Sequence, residues 1–204
     1  MVVSVGALVF VFTKIEIGEV ARIFSHSNLL LMFLALVLFV FSKYISAIRL
    51  NLFFKSIGLN LDKVYNLKLY LLGMYYNLFL PGGIGGDGYK IWLLNKNPDI
   101  KAKKIFWAVL LDRLTGLMAL FCLAVFLVLF TGIDTSFPFK LYIWILIPVS
   151  ILGFYYLIKY FFPDFTGIYL KTSLQALAVQ LIQVICAFAI FRSIGGLEND
   201  LEYL

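Results

Sequence analysis

The chain has 204 residues, of which 63% are apolar or aromatic and only 14% are charged. Soluble domains carry about 45–50% apolar and about 25% charged residues, so this composition indicates that lipid surrounds most of the chain. It excludes a soluble enzyme, a secreted disulfide scaffold and a nucleic-acid-binding domain. The continuous apolar runs also argue against an outer-membrane barrel, whose strands alternate. The single histidine, and two cysteines that both lie in apolar runs, predict no metal site and no cofactor.

A membrane-spanning helix needs about 20 consecutive apolar residues. Taken in chain order, the apolar runs predict about five spans, at residues 2–17, 28–48, 105–130, 139–162 and 173–191. The first run is short for a crossing, and it lacks the basic start and the small-residue cleavage site of a signal peptide. We therefore expect an all-α polytopic membrane protein that forms one transmembrane domain.

Basic residues indicate which ends of the spans face the cytoplasm, because Lys and Arg collect on that side. Two basic groups flank the segment between the second and third spans. They are Lys43, Arg49, Lys55, Lys63 and Lys68 before it, and Lys90, Lys96, Lys101, Lys103 and Lys104 after it. This distribution predicts that both groups and the N-terminus are cytoplasmic, in a multi-pass protein of the cell (plasma or inner) membrane.

The segment between these basic groups must then enter and leave the membrane on the same side. Two full crossings would need about 40 residues, which is more than the stretch 69–89 provides. We predict a re-entrant helical hairpin at about 65–96, in which a helix over 65–80 enters and a second helix, starting at Asp87, leaves. A single crossing that violates the charge rule is the alternative.

A glycine-rich turn lies at the tip of the predicted hairpin. Its candidate headgroup-binding residues are Asn77, Pro81, Gly82, Gly83, Gly85, Gly86, Asp87 and Lys90. The glycines match the spacing of a dinucleotide-binding loop, but the βαβ context of that loop is missing. A helix N-terminus with a lysine one turn in suits a phosphate, which inside a bilayer would belong to a lipid headgroup. In the alternative reading, Asp87 is only the helix N-cap and the glycines only permit the turn.

Asp112 and Arg113 lie inside the predicted span 105–130, where a charge at the helix centre costs about 2.5–3.5 kcal/mol. Adjacent helical residues do not face each other, so each should look to another element. We predict that Arg113 pairs with Asp87 and that Asp112 pairs with Lys90. The alternative places both at the interface, with Arg113 snorkelling to the headgroups.

Taken together, these motifs resemble the flippase-like transmembrane domain family of lysylphosphatidylglycerol synthases, over roughly residues 10–192. The residues that carry the resemblance are Asn77, Pro81, Gly82, Gly85-Gly86-Asp87, Lys90, Asp112-Arg113 and Gly116, with Arg49 and the stretch 14–20 upstream. Lys90 stands where the family often has Arg. Family members are longer and carry a second Pro/Gly-rich motif, so we expect that this chain is truncated at its C-terminus.

The resemblance implies a membrane protein that binds or translocates an anionic phospholipid or a polyprenyl-phosphate-linked sugar. Arg49, Asp112 and Arg113 would then be its intramembrane charge partners. The alternative is the membrane part of a lipid-modifying transferase, acting in lysyl transfer to phosphatidylglycerol or in lipid-carrier glycosylation. Its catalytic domain would lie on another chain, because no catalytic constellation is visible here. The expected partners are therefore a membrane lipid and either a transferase or a second copy, and not nucleic acid. A channel is a third reading, although no repeated polar face runs along the helices.

Overall fold

The computed structural model describes residues 27–79, 84–96, 100–128 and 137–194, together with residues 18, 22, 24 and 25. The regular elements in these ranges are all helices: α1 Leu29–Ser56, α2 Lys63–Phe79, α3 Gly85–Leu94, α4 Ala102–Val128, α5 Phe137–Phe161 and α6 Tyr169–Ser193. A 3₁₀ helix, Pro163–Ile168, joins α5 to α6. The predicted all-α architecture is confirmed. The predicted first span, 2–17, lies outside the described residues.

Four of the described helical segments are long and apolar enough to cross a membrane. They are Leu29–Ser56, Ala102–Val128, Trp144–Phe161 and Pro163–Ser193. Their outer surfaces are covered with large apolar side chains, among them Leu30, Phe33 and Trp144, which are all more than half exposed. Such surfaces fit a chain whose surroundings are hydrocarbon, where close packing and polar contacts between helices hold the bundle together.

The described helix α1 continues past the predicted span 28–48 and ends at Ser56. In the structure Leu50, Phe53 and Phe54 continue the apolar run and are buried. Arg49 therefore lies inside the helix and not at its end. The last helix, α6, begins at Tyr169, four residues before the predicted span 173–191.

The first and last described helices, α1 and α6, run antiparallel and form the most extensive helix pair of the bundle. The Asn28 side chain caps α1 by accepting the N–H groups of Leu30 and Leu31. The N–H of Asn28 donates to the Ser193 carbonyl at 2.8 Å, which ties the start of α1 to the end of α6. Further along, the Cys186 thiol approaches the Ala35 carbonyl at 3.2 Å, so the two helices lie close together where their residues are small.

The main apolar core lies at the opposite end of the bundle, where α1 ends and α4 begins. It includes Leu50, Phe53, Phe54, Leu69, Leu94, Ile105, Ala108, Leu111, Ile158 and Phe165. Exposed basic residues surround this end, and one of them, Lys104, forms an ion pair with Asp164 at 2.9 Å. The charge pattern predicts that this end is cytoplasmic. Most of the buried apolar packing among the described residues lies at the same end.

Helices α2 and α3 form an antiparallel hairpin, and α3 also packs on α4. The ammonium group of Lys90 lies 5.1 Å from the Tyr70 ring, and the Asn77 side-chain oxygen accepts the Gly86 N–H at 2.7 Å. The helix bounds differ from the predicted ones by a few residues, since α2 covers Lys63–Phe79 and α3 begins at Gly85. Pro81, Gly82 and Gly83 lie outside the described residues.

The hairpin closes on a contact between two glycines, Gly73 of α2 and Gly86 of α3. A Cβ added to Gly86 would overlap the Gly73 carbonyl oxygen, and a Cβ on Gly73 would overlap the Lys90 side chain. Only residues without a side chain allow the two helices to approach this closely.

We expect Gly86→Ala to destabilise the folded protein in detergent by about 1–3 kcal/mol or more, because the added methyl forces the two helices apart. Gly88→Ala is the matched control, since a Cβ at Gly88 would meet nothing within 4 Å. Thermal unfolding of the two variants checks the prediction. Equal stability of both would show that the close contact at Gly86 does not hold the hairpin together.

Candidate functional site

A polar cavity of about 200 Å³ lies where the α2–α3 hairpin meets α1 and α4. Its lining includes the charged residues Arg49, Asp87, Lys90, Asp112 and Arg113, together with Tyr70, Met74 and Asn77. Along α4, Arg113 is 11 residues from Ala102, which is about 16 Å into a helix about 40 Å long. The charged cavity therefore lies beside the middle of α4.

Arg49 and Asp112 form one ion pair of the cavity. The guanidinium Nε of Arg49 donates to the Asp112 carboxylate at 2.7 Å, and the two side chains are only 7% and 10% exposed. The prediction that Asp112 pairs with Lys90 is therefore wrong. Asp112 faces α1 and not the hairpin, and a charge inside α1 supplies its partner.

Asp87 holds the second group of charges, because its two carboxylate oxygens contact different cations. One oxygen accepts the Lys90 ammonium at 3.1 Å, and the other contacts Nε of Arg113. The predicted pairing of Asp87 with Arg113 is confirmed. Arg113 is 43% exposed, so it is the most accessible of these three side chains, whereas Asp87 and Lys90 are buried.

The described lining of the cavity holds three cations, Arg49, Lys90 and Arg113, and two carboxylates, Asp87 and Asp112. In addition, Nη1 of Arg49 is buried with no hydrogen-bond partner among the described residues. Buried donors are expensive to leave unsatisfied, so this cavity is chemically suited to a small anion.

The N-terminus of α3 contributes less to such a site than its glycines suggest. The Gly86 N–H is used by the Asn77 side chain, and the N–H groups of Asp87 and Gly88 donate to the Ile84 carbonyl. Asp87 is not the N-cap either, because that position is Ile84 and the Asp87 side chain turns to the cations. Side-chain cations, and not free backbone N–H groups, therefore supply the positive charge.

Gly116 is the family-motif residue that positions Arg49. A Cβ added to Gly116 would lie 3.4–3.6 Å from the guanidinium nitrogens Nη1 and Nη2 of Arg49, so the arginine packs directly over this glycine. The Gln180 amide donates to the Gly116 carbonyl at 3.0 Å and connects α6 to the same turn of α4. The sequence signal for Gly116 was its place among the residues that carry the family resemblance. Tyr70, Met74 and Gln180 carried no such signal.

The described helices and this cavity define the class: a polytopic α-helical membrane protein with a charged cavity beside the middle of a long apolar helix. Residues 1–181 match the family described as lysylphosphatidylglycerol synthase TM region, and the chain belongs to that family. The family description indicates the membrane domain of a lipid-modifying system. No curated protein and no solved structure matches the chain.

We expect that removing one partner of the Arg49–Asp112 pair is costly, because the remaining charge is left buried. Asp112→Asn and Arg49→Gln should each lower stability in detergent by about 3–5 kcal/mol, and the double change should cost less than the sum. The measurement is a double-mutant cycle on thermal or denaturant unfolding.

The exposed pair Lys104–Asp164 is the matched control for this cycle. Lys104→Gln and Asp164→Asn make the same chemical changes in side chains that are 53% and 47% exposed, so each should cost about 0–1 kcal/mol. The assignment of a buried pair would be contradicted if the stability losses at Arg49 and Asp112 were additive. It would also be contradicted if these losses equalled those measured for the exposed pair.

Proposed function

We propose that the central cavity binds the phosphate of an anionic membrane lipid, and that the protein translocates this lipid. The observation that carries the proposal is the cluster of three cations, Arg49, Lys90 and Arg113, in a cavity beside the middle of the long apolar helix α4. A charge inside a membrane-spanning helix is costly, so it is retained where function requires it. Membership in a lipid-related family supports the choice of a lipid as the anion.

Arg113 is the residue that we expect to contact the headgroup first. It is half-exposed, and its planar guanidinium can present two parallel N–H donors to phosphate oxygens. Lys90 and Arg49 lie deeper and add positive charge. Asp87 holds Lys90 and Arg113 in place. The headgroup site that we propose comprises Asn77, Asp87, Lys90 and Arg113, with Gly85 and Gly86 shaping the turn.

A second candidate function is favoured by the family description, which names a synthase. In this reading the chain is the membrane part of a transferase, and the cavity presents a lipid to a catalytic domain carried by another chain. Lipid translocation in liposomes that contain only this protein would separate transport from presentation. Lipid modified only when a partner transferase is added would favour presentation.

We expect Arg113→Gln to weaken binding of phosphatidylglycerol to the purified protein by about tenfold or more, since a charge-assisted hydrogen bond to the phosphate is lost. Arg113→Lys should retain part of the affinity, because it keeps the charge but not the two-pronged donor geometry. The measurement is binding of labelled phosphatidylglycerol diluted into phosphatidylcholine nanodiscs.

Lys104→Gln serves as the control for charge alone, because it also removes one cation but lies outside the cavity. Its affinity should stay close to that of the unaltered protein. A loss of binding at Lys104 that equals the loss at Arg113 would show that general surface attraction, and not the cavity, binds the lipid.

We also propose that α2 and α3 form a re-entrant hairpin that opens toward the cytoplasm, in a cell membrane protein with a cytoplasmic N-terminus. Lys63 and Lys96 lie at the open end of the hairpin, whereas Asn77 and Asp87 lie near its tip beside the middle of α4. The charge rule supports the cytoplasmic assignment, since the end of the bundle that carries Lys55 and Lys104 is strongly basic.

Cysteine labelling tests this topology. In a background without Cys122 and Cys186, Lys68→Cys and Lys96→Cys should react with an impermeant maleimide from the same, cytoplasmic face. Arg192→Cys, exposed at the far end of α6, should react from the other face. Labelling of positions 68 and 96 from opposite faces would exclude the re-entrant hairpin.

A further inference from the structure

A second polar cavity, which we call the α1–α2 groove, lies between these two helices at the basic end of the bundle. Its volume is about 180 Å³, and it shares no lining residue with the central cavity. The second half of α1 and the first turn of α2 contribute its walls. Its polar or exposed lining residues are Tyr44, Ile48, Asn51, Lys55, Lys63 and Asn66.

Two asparagines of the groove each carry a buried acceptor without a partner. Asn51 is 6% exposed and Asn66 is 2% exposed, and the side-chain oxygen Oδ1 of each has no hydrogen-bond partner among the described residues. The Nδ2 group of Asn66 donates to the Ala47 carbonyl at 2.7 Å, and that of Asn51 approaches the Leu61 carbonyl at 3.5 Å. Because a carbonyl oxygen can only accept, these contacts determine which end of each amide is the oxygen.

The chemistry of the lining indicates what kind of ligand it suits. A buried acceptor without a partner is costly, so the two amide oxygens favour a ligand with hydrogen-bond donors. Lys55 and Lys63 are exposed and form no ion pair among the described residues. Their charges disfavour an ammonium group as the donor and attract a negative group. Hydroxyl groups attached to a phosphate meet both requirements.

We propose that the α1–α2 groove binds a phosphate ester whose alcohol carries free hydroxyl groups. The hydroxyls donate to Oδ1 of Asn51 and Asn66, and the phosphate lies near the lysines. A lipid headgroup and a free polyol phosphate share this chemistry. Tyr44 and Ile48, which are 48% and 39% exposed, open the groove toward the surroundings of the bundle, which fits a lipid. This site is separate from the central cavity and goes beyond the function proposed for that cavity.

The first test compares two lipids of equal charge. Phosphatidylglycerol and phosphatidylethanol are both phosphodiesters, but only the glycerol headgroup has free hydroxyls. In the Arg113→Gln protein, whose central cavity is weakened, phosphatidylglycerol should bind about fivefold or more tightly than phosphatidylethanol in phosphatidylcholine nanodiscs. Equal binding would show that water alone satisfies the amide oxygens, or that the central cavity reads the hydroxyls, and would overturn the proposal.

A count of bound lipids gives a second measurement that needs no substitution. At a concentration that saturates the unaltered protein with phosphatidylglycerol, native mass spectrometry should find one more bound molecule of this lipid than of phosphatidylethanol. Equal numbers of the two lipids would overturn the proposal. A failure of the central cavity to bind lipid would leave this difference in place, so the two proposals fail separately.

The second test changes the groove. Asn51→Leu should weaken phosphatidylglycerol binding about fivefold or more and leave phosphatidylethanol binding within about twofold, because it removes only the acceptor for the hydroxyls. Asn51 makes one long contact, so its replacement should be tolerated, and Asn66→Leu is the second variant. Asn60→Leu makes the same change at an exposed position outside the groove and should keep the preference. A preference that survives at both Asn51 and Asn66 would overturn the assignment.

The third test concerns the phosphate. Lys63→Gln should weaken binding of both lipids about two- to fivefold and leave their ratio unchanged, because it removes charge and not an acceptor. Lys68→Gln is the control, since Lys68 is exposed but does not line the groove. Equal losses at Lys63 and Lys68 would show general surface attraction and overturn the placement of the phosphate.

A soluble competitor distinguishes the two sources of the ligand. Displacement of phosphatidylglycerol by glycerophosphoglycerol at equal concentration would assign the groove to free polyol phosphates. A competitor that acts only in large excess would assign it to the lipid, which is the result that the exposed side chains Tyr44 and Ile48 favour.

Discussion

The pairing of charges at membrane depth is the constraint on which the arrangement of the helices depends. Asp87 of α3 contacts Arg113 of α4, and Asp112 of α4 contacts Arg49 of α1. Each charge alone would be expensive inside hydrocarbon, so the helices that carry them must stay in contact. The two neighbouring residues of α4 point to different partners, and α4 thereby connects the hairpin to α1.

Close backbone approach at the glycines makes this pairing possible. The contact between Gly73 and Gly86 brings α3 against α2, and the Asn77 side chain then satisfies a backbone N–H of the first turn of α3. Asp87 is placed in that same turn, on the side that faces α4. Gly116 on α4 is under a weaker constraint, because a Cβ there would only reach ordinary van der Waals contact with the guanidinium of Arg49. The close contact at Gly86 and the ion pair of Asp87 are therefore needed together, because both depend on how α3 lies against its neighbours.

The sequence predicted the all-α membrane fold class, because apolar run length is a property of the chain itself, and it placed two short helices around the glycine-rich turn, close to where α2 and α3 lie. It also predicted the Asp87–Arg113 contact, since each residue was the evident opposite charge for the other. It did not predict the partner of Asp112. Arg49 lies 63 residues away, and its contact depends on how α1 and α4 are rotated about their axes.

The same limitation explains why the sequence did not show that α1 continues past residue 48. Basic residues usually mark the end of a span, but a buried arginine with a carboxylate partner can sit inside one. Apolar periodicity could not reveal this, because a helix that is apolar all round has no preferred face. The cavity residues Tyr70 and Met74 were missed for the same reason, since nothing distinguishes them from lipid-facing neighbours until the helices are packed.

The pairing of buried cations with carboxylates in the cavity also has an electrical consequence. Moving one elementary charge through the whole membrane potential changes the free energy by about 2.3 kcal/mol per 100 mV. The four buried side chains Arg49, Lys90, Asp87 and Asp112 carry two positive and two negative charges, so a movement that displaced them together would carry no net charge through that potential. The membrane voltage would therefore act on Arg113, the exposed cation of the cavity, and hardly at all on the buried ion pairs.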